Sequence, residues 1–318
     1  MNKNNECTES KEFKTSIGGQ ALIEGIMMRG PTKQAVVVRT KEGLVTKVEQ
    51  LKLIKDKFPI LGWPFIRGVV NFANSMTVGV TALMFSADQM PEDEQEEPTK
   101  FEAWIEKKFG SEKAEKALIS FAVVLGIAFS IGLFILLPTF LAGFISTFIE
   151  NMILRNLIEG ALRILIFISY LWLTTRLGEI QRVWAYHGAE HKAIACYEKG
   201  LALTVDNVML QSKQHPRCGT SFMFIVMIVS ILVFSFTTWD NLWVRIALRL
   251  LLLPVVVSIS YEIIKLAGRY DNVFTRIISA PGKALQRLTT REPDESMVEV
   301  AIESIKLVIP EDAKQAAW

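Results

Sequence analysis

The sequence predicts a mainly α-helical, polytopic membrane protein: a bundle of about four transmembrane helices with a small N-terminal region that contains a β-hairpin. Half of the 318 residues are hydrophobic, which is a high share for a soluble protein. These hydrophobic residues are concentrated in long runs without charge, as in transmembrane helices. All three histidines fall in one hydrophilic stretch, so we expect a chemical site between the spans.

The N-terminal region covers residues 1–57 and is predicted to be cytoplasmic. It begins with a polar stretch that lacks the apolar core of a cleavable signal peptide. The glycine-rich segment 16–31 is not a phosphate-binding loop, because no Gly-Lys-Ser/Thr follows it. Two β-rich runs, 34–39 and 44–51, flank a glycine turn. This arrangement predicts a β-hairpin.

Residues 58–87 carry apolar side chains at helical spacing, interrupted by several polar ones. We interpret this stretch as an amphipathic helix that lies in the membrane interface or packs on other helices, with a transmembrane span as the alternative. An acidic, proline-bounded linker and a charged helix follow over residues 88–116.

The transmembrane bundle is predicted over residues 117–267. One span needs about 20 predominantly apolar residues. Four segments supply them: 117–147, 157–175, 221–239 and 243–267. Pro138 lies inside the first segment and leaves open whether that span is continuous or broken.

Few ionisable residues occur in these spans. Glu159 and Arg163 are four residues apart, so they can pair on one helix face. Arg245 and Arg249 stand near one end of the last span, where we expect their side chains to extend to the membrane surface. Because paired ionisable residues at mid-depth mark transport pathways, a transporter ranks below other functions.

Basic residues indicate the orientation of the chain. They are concentrated before the first span, in the loop 176–220 and in the tail 268–318. With four spans, the positive-inside rule places both termini and this loop in the cytoplasm. Three cysteines do not form a disulfide framework, and we expect reduced thiols. The expected partners are the lipid bilayer and other membrane proteins, and a net charge of +2 gives no reason to expect nucleic acid.

The candidate site lies in the stretch 184–221, which holds every histidine. If its first half is a helix, His187 and His191 share one face, and Glu198 falls on the same stripe about three turns later. Two imidazoles and one carboxylate, with an open position for water, make up a catalytic zinc site. Glu190 beside them would be the general base. His-x-x-Glu-His is also the signature of the inverted zinc proteases.

His215 and Cys218 form a second cluster immediately before the third span. They could add two ligands to His187 and His191. Four nitrogen and sulfur ligands close the coordination sphere, as in a structural zinc site. The predicted cofactor is in either case a divalent metal, most simply zinc. An open site performs chemistry, whereas a closed site fastens the cytoplasmic loop to the bundle.

Three motifs carry a family resemblance: GGQALIEGIMMRGP near the N-terminus, YHGAEHKAIACYE in the loop and HPRCGTSF before the third span. Together they resemble the bacterial YqhQ-like membrane protein family, over about residues 16–290. That family is largely uncharacterised and labelled a predicted metal-dependent enzyme. The resemblance implies the cytoplasmic membrane of a bacterium as the location. It also implies metal ligation by residues such as His187, His191, His215 and Cys218.

Two functions follow as expectations. The first is a metal-dependent hydrolase whose cytoplasm-facing site acts on a membrane-associated substrate. The alternative is a non-catalytic membrane scaffold or biogenesis factor, in which a structural metal site or a hydrogen-bonded histidine cluster shapes a docking surface. The role of Glu190 separates the two, because only the hydrolase needs a general base.

Overall fold

The computed structural model describes seven stretches of the chain: residues 13–51, 58–91, 111–146, 148–216, 218–237, 241–270 and 272–316. The chain divides into two compact units. Unit 1 comprises Met1–Gln89, Trp172–Val226 and Pro254–Trp318, and unit 2 comprises Met90–Leu171 and Met227–Leu253. The linker and charged helix predicted at 88–116 lie mostly outside the described residues.

The described residues are mainly helical. In chain order the helices are α1 (Ile66–Asp88), α2 (Ser111–Ile131), α3 (Leu137–Ser146), α4 (Met152–Thr174), α5 (Gly178–Glu198), α6 (Val205–Met209), α7 (Gly219–Phe234), α8 (Leu242–Arg269), α9 (Val273–Thr289) and α10 (Glu295–Val308). Short 3-10 turns occupy Pro59–Gly62 and Ala313–Ala316.

Unit 1 contains an antiparallel sheet with the strand order β1-β2-β3-β4. Its strands are β1 (Gly18–Leu22), β2 (Gly25–Arg29), β3 (Lys33–Thr40) and β4 (Gly43–Gln50). The predicted hairpin is confirmed as β3 and β4, which close with Thr40 opposite Gly43. Gly43 has φ 137°, a conformation that glycine adopts readily. The β1–β2 hairpin was not predicted, because its glycines interrupt the alternation of polar and apolar side chains that is typical of a strand.

Helices α5 and α10 pack against the sheet and against each other. The core between them consists of buried apolar side chains from all three layers, among them Ile26, Val37, Ala189, Ile194, Val298 and Ile305. The C-terminal stretch 268–318, described from the sequence only as a basic tail, therefore supplies a core helix, α10. The apolar face of α10 packs on the sheet. The periodicity of a sequence shows that a helix has an apolar face but not which surface covers that face.

Among the described residues, four helices are long and apolar enough to cross a membrane: Ile66–Asp88, Ala117–Ile145, Met152–Thr174 and Leu242–Arg269. The number agrees with the prediction, but the set differs. Length and composition support the alternative interpretation of α1 as a span. Helix α7 has 16 described residues, or about 24 Å at 1.5 Å per residue, which is short for a bilayer core of about 30 Å.

Pro138 does not break the helical path in unit 2. A π-helical turn, Gly132–Leu136, joins α2 to α3. Proline has no N–H to donate to the carbonyl four residues earlier, which here is that of Phe134. The Nε of Arg163 donates to this carbonyl instead, at 3.1 Å. The prediction of an Arg163–Glu159 pair is confirmed at 3.1 Å.

The expectation that Arg245 and Arg249 extend to the membrane surface is wrong. Their exposed fractions are only 3% and 1%. The guanidinium of Arg249 donates to both carboxylate oxygens of Glu159 on α4. A carboxylate on a neighbouring helix therefore draws the side chain inward, and the sequence of one helix cannot reveal such a partner.

Candidate metal centre

Two histidines of α5 lie side by side in unit 1. The first half of the stretch 184–221 is helical as expected, and α5 ends at Glu198, two residues before Gly200 with its φ of 65°. His187 and His191 are one turn apart on the same face, and their ring centroids are 4.3 Å apart. The spacing of the two imidazoles is thus as the sequence predicts.

Main-chain carbonyl groups fix the orientation of both rings. Nδ1 of His187 lies 2.8 Å from the carbonyl oxygen of Thr289, and Nδ1 of His191 lies 2.7 Å from that of Lys213. Because a carbonyl oxygen only accepts hydrogen bonds, each Nδ1 carries a proton, and in the neutral ring Nε2 is then the nitrogen with the lone pair. Histidines that bind metals are oriented in this way by outer partners.

Cys218 completes the group. It immediately precedes α7, and its Sγ lies 3.1 Å from Nε2 of His187. One ligand atom from each of His187, His191 and Cys218 lies within 4.8 Å of the other two. Tetrahedral zinc with ordinary bond lengths spaces its nitrogen and sulfur ligands about 3.3–3.8 Å apart. Small movements of these side chains would bring the three ligand atoms to that spacing, so the group could bind a metal ion.

His215 and Glu198 contact each other, at 3.5 Å between Nε2 and Oε2. The other carboxylate oxygen of Glu198 accepts from the backbone N–H of Thr15 at 2.7 Å. The ring of His215 lies 5.6 Å from that of His191, centroid to centroid. Both residues thus lie beside the centre, but the three-residue group found among the described residues does not include them.

Glu190 faces the sheet from α5. The backbone N–H of Gly19 on β1 donates to its carboxylate, and a Cβ at Gly19 would lie 3.0 Å from the Glu190 side chain. Oε2 is buried and has no hydrogen-bond partner among the described residues. Burial raises the pKa of Glu190 and outweighs the opposing effects of His187 and the Gly19 hydrogen bond.

Several residues that support the centre were missed in the sequence. Thr289 and Lys213 act through their carbonyl groups, which every residue type possesses, so no sequence signal could identify them. The side chain of Gln286 accepts from the N–H of His215 at 2.8 Å and donates to its carbonyl at 2.7 Å. Lys192 is buried, donates to the Met209 carbonyl and pairs with Glu292. Nothing in the sequence distinguishes it from the other basic residues of the loop.

The comparison with known proteins identifies the family. Residues 63–311 match the model of a family described as "Protein of unknown function (DUF1385)". The chain is also 34% identical over 294 residues to "Uncharacterized protein YqhQ" of Bacillus subtilis (strain 168), and the alignment covers 90% of each chain. No solved structure matches the chain. With most of its length matched in both comparisons, the chain belongs to the DUF1385 family.

Proposed function

We propose that this chain is an integral membrane protein that binds zinc through His187, His191 and Cys218 and hydrolyses a membrane-associated substrate. The observation that carries the proposal is the number of converging ligands. Three protein ligands leave a position for water or substrate, which distinguishes catalytic from structural zinc sites. The fixed Nδ1 protons of both histidines support it, since they keep the two Nε2 atoms available as ligands.

When bound, zinc would supply Lewis acidity and lower the pKa of a coordinated water. The chain contributes the orientation of the ligands. The carbonyl groups of Thr289 and Lys213 hold the two imidazole rings in their orientation. Cys218 lies beside His187 and would bind as the thiolate, the form in which cysteine coordinates metals.

Glu190 is the proposed general base. A buried carboxylate oxygen without a partner is uncommon in folded proteins, and a catalytic role is one explanation for it. Oε2 of Glu190 is such an atom among the described residues, and Glu190 is the residue before His191 in α5. In the proposed reaction the Glu190 carboxylate accepts the proton of the attacking water and returns it to the leaving group.

The four apolar helices support a substrate that is itself in the membrane. The orientation predicted from Lys and Arg would place the metal centre on the cytoplasmic side. A membrane peptide or a lipid-linked molecule satisfies both conditions.

A scaffold with a structural metal site is the second candidate, and the burial of the centre favours it. His191 is 1% exposed and Cys218 is 8% exposed. The ligands come from α5 and from the residue immediately before α7, and their outer partners are Lys213 in the preceding loop and Thr289 of α9. A closed site at this junction would fasten these elements together.

Cobalt substitution tests whether the fourth position is open. The protein would be purified in detergent without a histidine tag, loaded with Co²⁺ and titrated with acetohydroxamate while the visible spectrum is recorded. We expect the hydroxamate to change the cobalt bands, because it can enter an open position. An unchanged spectrum in protein that has bound cobalt would contradict the hydrolase and support the scaffold.

The variant Glu190→Gln distinguishes a role as general base from a role in metal binding. We expect it to bind cobalt with the same spectrum, because Glu190 is not one of the ligands. Hydrolysis of a panel of fluorogenic peptide and ester substrates by the zinc form should fall at least about a hundredfold, the usual scale for loss of a general base. Equal hydrolysis by wild type and Glu190→Gln would remove Glu190 from the reaction.

A further inference from the structure

Helix α9 is amphipathic, but its two faces are reversed relative to a helix on the surface of a soluble protein. The buried face is mainly polar and includes Thr275, Ser279, Gln286 and Thr289. The apolar side chains on the other side are exposed: Val273 at 73%, Phe274 at 70% and Ile277 at 64%. Contact of such a face with water is unfavourable, so we expect an apolar environment to cover it.

The polar face of α9 packs on the residues around the candidate metal centre. The carbonyl oxygen of Thr289 accepts from Nδ1 of His187 at 2.8 Å. The side chain of Gln286 binds both the N–H and the carbonyl of His215. A Cβ at Gly282 would lie only 2.5 Å from a side chain at the start of α7. These contacts fix the rotation of α9 about its axis, and the apolar side therefore faces away from unit 1.

The first turn of α9 lies close to the end of α8, a helix that is long and apolar enough to cross a membrane. Only three residues separate Arg269, the last residue of α8, from Val273, a reach of at most about 14 Å. The side chain of Asn272 accepts from the N–H of Thr275 at 2.9 Å, and the Thr275 hydroxyl accepts from the N–H of Asn272 at 3.0 Å. This capping box fixes the turn between the helices. The exposed apolar face thus begins where α8 would leave the bilayer.

Two basic side chains lie beside the apolar face. Lys283 and Arg287 are one turn apart and fall about 40° from each other around the helix. A strip of basic residues next to an apolar face is typical of helices that lie in the surface of a membrane with anionic lipids. With 17 residues, α9 is about 25 Å long, which is short for a span. Its buried polar face and its charges also suit the interface rather than the bilayer core.

We propose that α9 lies in the surface layer of the bilayer, with Val273, Phe274 and Ile277 facing the acyl chains. Lys283 and Arg287 contact the phosphate groups of anionic phospholipids. Because the opposite face of α9 contacts residues of the candidate metal centre, the helix holds that centre at the membrane surface. This inference goes beyond the proposed hydrolase, since it stands on the packing and charge of α9 and no step of it needs a bound metal.

Photo-crosslinking of the full chain identifies what covers the exposed face. The photoreactive amino acid p-benzoylphenylalanine replaces Phe274 and, in the matched control, Glu295, which is an exposed residue at the start of α10. The protein is irradiated in nanodiscs of phosphatidylcholine and phosphatidylglycerol, and its peptides are analysed by mass spectrometry. We expect lipid adducts at position 274 and none above background at position 295.

Two double variants of the Phe274 probe protein test the contact with headgroups. The first combines Lys283→Gln with Arg287→Gln. The matched control combines Lys33→Gln with Lys306→Gln and removes two exposed charges elsewhere in unit 1. In discs with equal amounts of both lipids, the adducts should be enriched in phosphatidylglycerol. The enrichment should fall at least about twofold in the first double variant, because each basic residue near the surface attracts anionic lipid, and it should persist in the control.

Three results of the crosslinking would overturn the proposal: no lipid adduct at position 274, equal lipid adducts at positions 274 and 295, or adducts only with a second copy of the chain. Equal loss of enrichment in both double variants would remove Lys283 and Arg287 from the contact. The Phe274 side chain is largely exposed, so its replacement spares the core. A second probe at Ile277 repeats the test if the first variant fails to fold.

Discussion

Nε2 of His187 lies 3.1 Å from Sγ of Cys218, although 31 residues separate the two in the chain. The α5 helix presents the imidazole, and the segment that enters α7 brings the thiol to it. The imidazole and the thiol share one hydrogen bond at this distance. A metal ion bound between them would occupy the Sγ of Cys218, so bound metal should protect this thiol from alkylation and chelation should expose it.

The first prediction concerns the reactivity of the two buried thiols. After chelation, Cys218 should react with iodoacetamide, whereas Cys196 should not. The Sγ of Cys196 faces the main-chain carbonyl oxygens of Leu201 and Ala202, which follow α5, and burial raises the pKa of its thiol. Peptide mass spectrometry of the native, alkylated protein measures both. Equal labelling of Cys196 and Cys218 would contradict the different environments of the two thiols.

The second prediction concerns His215. His215→Ala should keep the metal but lower stability by about 1–3 kcal/mol, because Glu198 loses a partner in a mostly buried contact. Thermal unfolding in detergent measures the loss. Glu198→Gln is the comparison, and the double variant should be less destabilised than the sum of the single variants. Full additivity would show that the two side chains do not interact.

The third prediction uses two adjacent glycines of β1. A Cβ at Gly19 would lie 2.7 Å from the Met27 carbonyl oxygen and 3.0 Å from the Glu190 side chain, whereas one at Gly18 would meet nothing within 4 Å. Gly19→Ala should therefore lower the thermal midpoint by several degrees, and Gly18→Ala should have little effect. Similar midpoints for the two variants would mean that Glu190 does not pack against β1 as described.

The fourth prediction concerns the cap of α10. Asp294 accepts from the backbone N–H of Met297 at 2.9 Å and from the Ser296 hydroxyl at 2.6 Å. Partial burial alone would raise the pKa of Asp294, but these hydrogen bonds and the charge of Arg182 together lower it below the ordinary 3.8. Stabilisation by the carboxylate is thus present above about pH 3.8 and is lost as the pH falls through the folded-state pKa.

Asp294→Ala should accordingly destabilise α10 at pH 7 by about 1 kcal/mol, the usual effect of losing an N-cap. The difference from wild type should shrink once the pH falls below the folded-state pKa. Asp294→Asn, which retains a capping oxygen, should stay close to wild type at pH 7. Hydrogen exchange of the α10 amides measures the effect, and a difference that grows on acidification would contradict the assigned pKa direction.

Local patterns predicted much of the fold. The β3–β4 hairpin follows from two β-rich runs around Gly43, and the apolar helices follow from hydropathy. The β1–β2 hairpin and the core position of α10 did not follow, because both depend on which surfaces pack together. The burial of the Arg249 side chain was not predicted either, because it depends on the ion pair with Glu159 of another helix.

The same distinction applies to the candidate site. His187 and His191 share a helix, so helical geometry alone places their rings together. Glu198 lies on the same helix face, but its carboxylate contacts His215 and the backbone N–H of Thr15. Both partners are distant in the sequence, so helical spacing could not predict these contacts. Cys218 was recognisable as a ligand by its residue type, but its approach to His187 required the fold.

Bound metal, measured by inductively coupled plasma mass spectrometry, decides whether His187, His191 and Cys218 form a zinc site. Wild-type protein, purified without a histidine tag, would be compared with His187→Ala, Cys218→Ser and His215→Ala. We expect about one zinc per chain in wild type and in His215→Ala, and none in the two ligand variants. No metal in wild type after zinc is added back, or loss of zinc in His215→Ala with retention in Cys218→Ser, would contradict it.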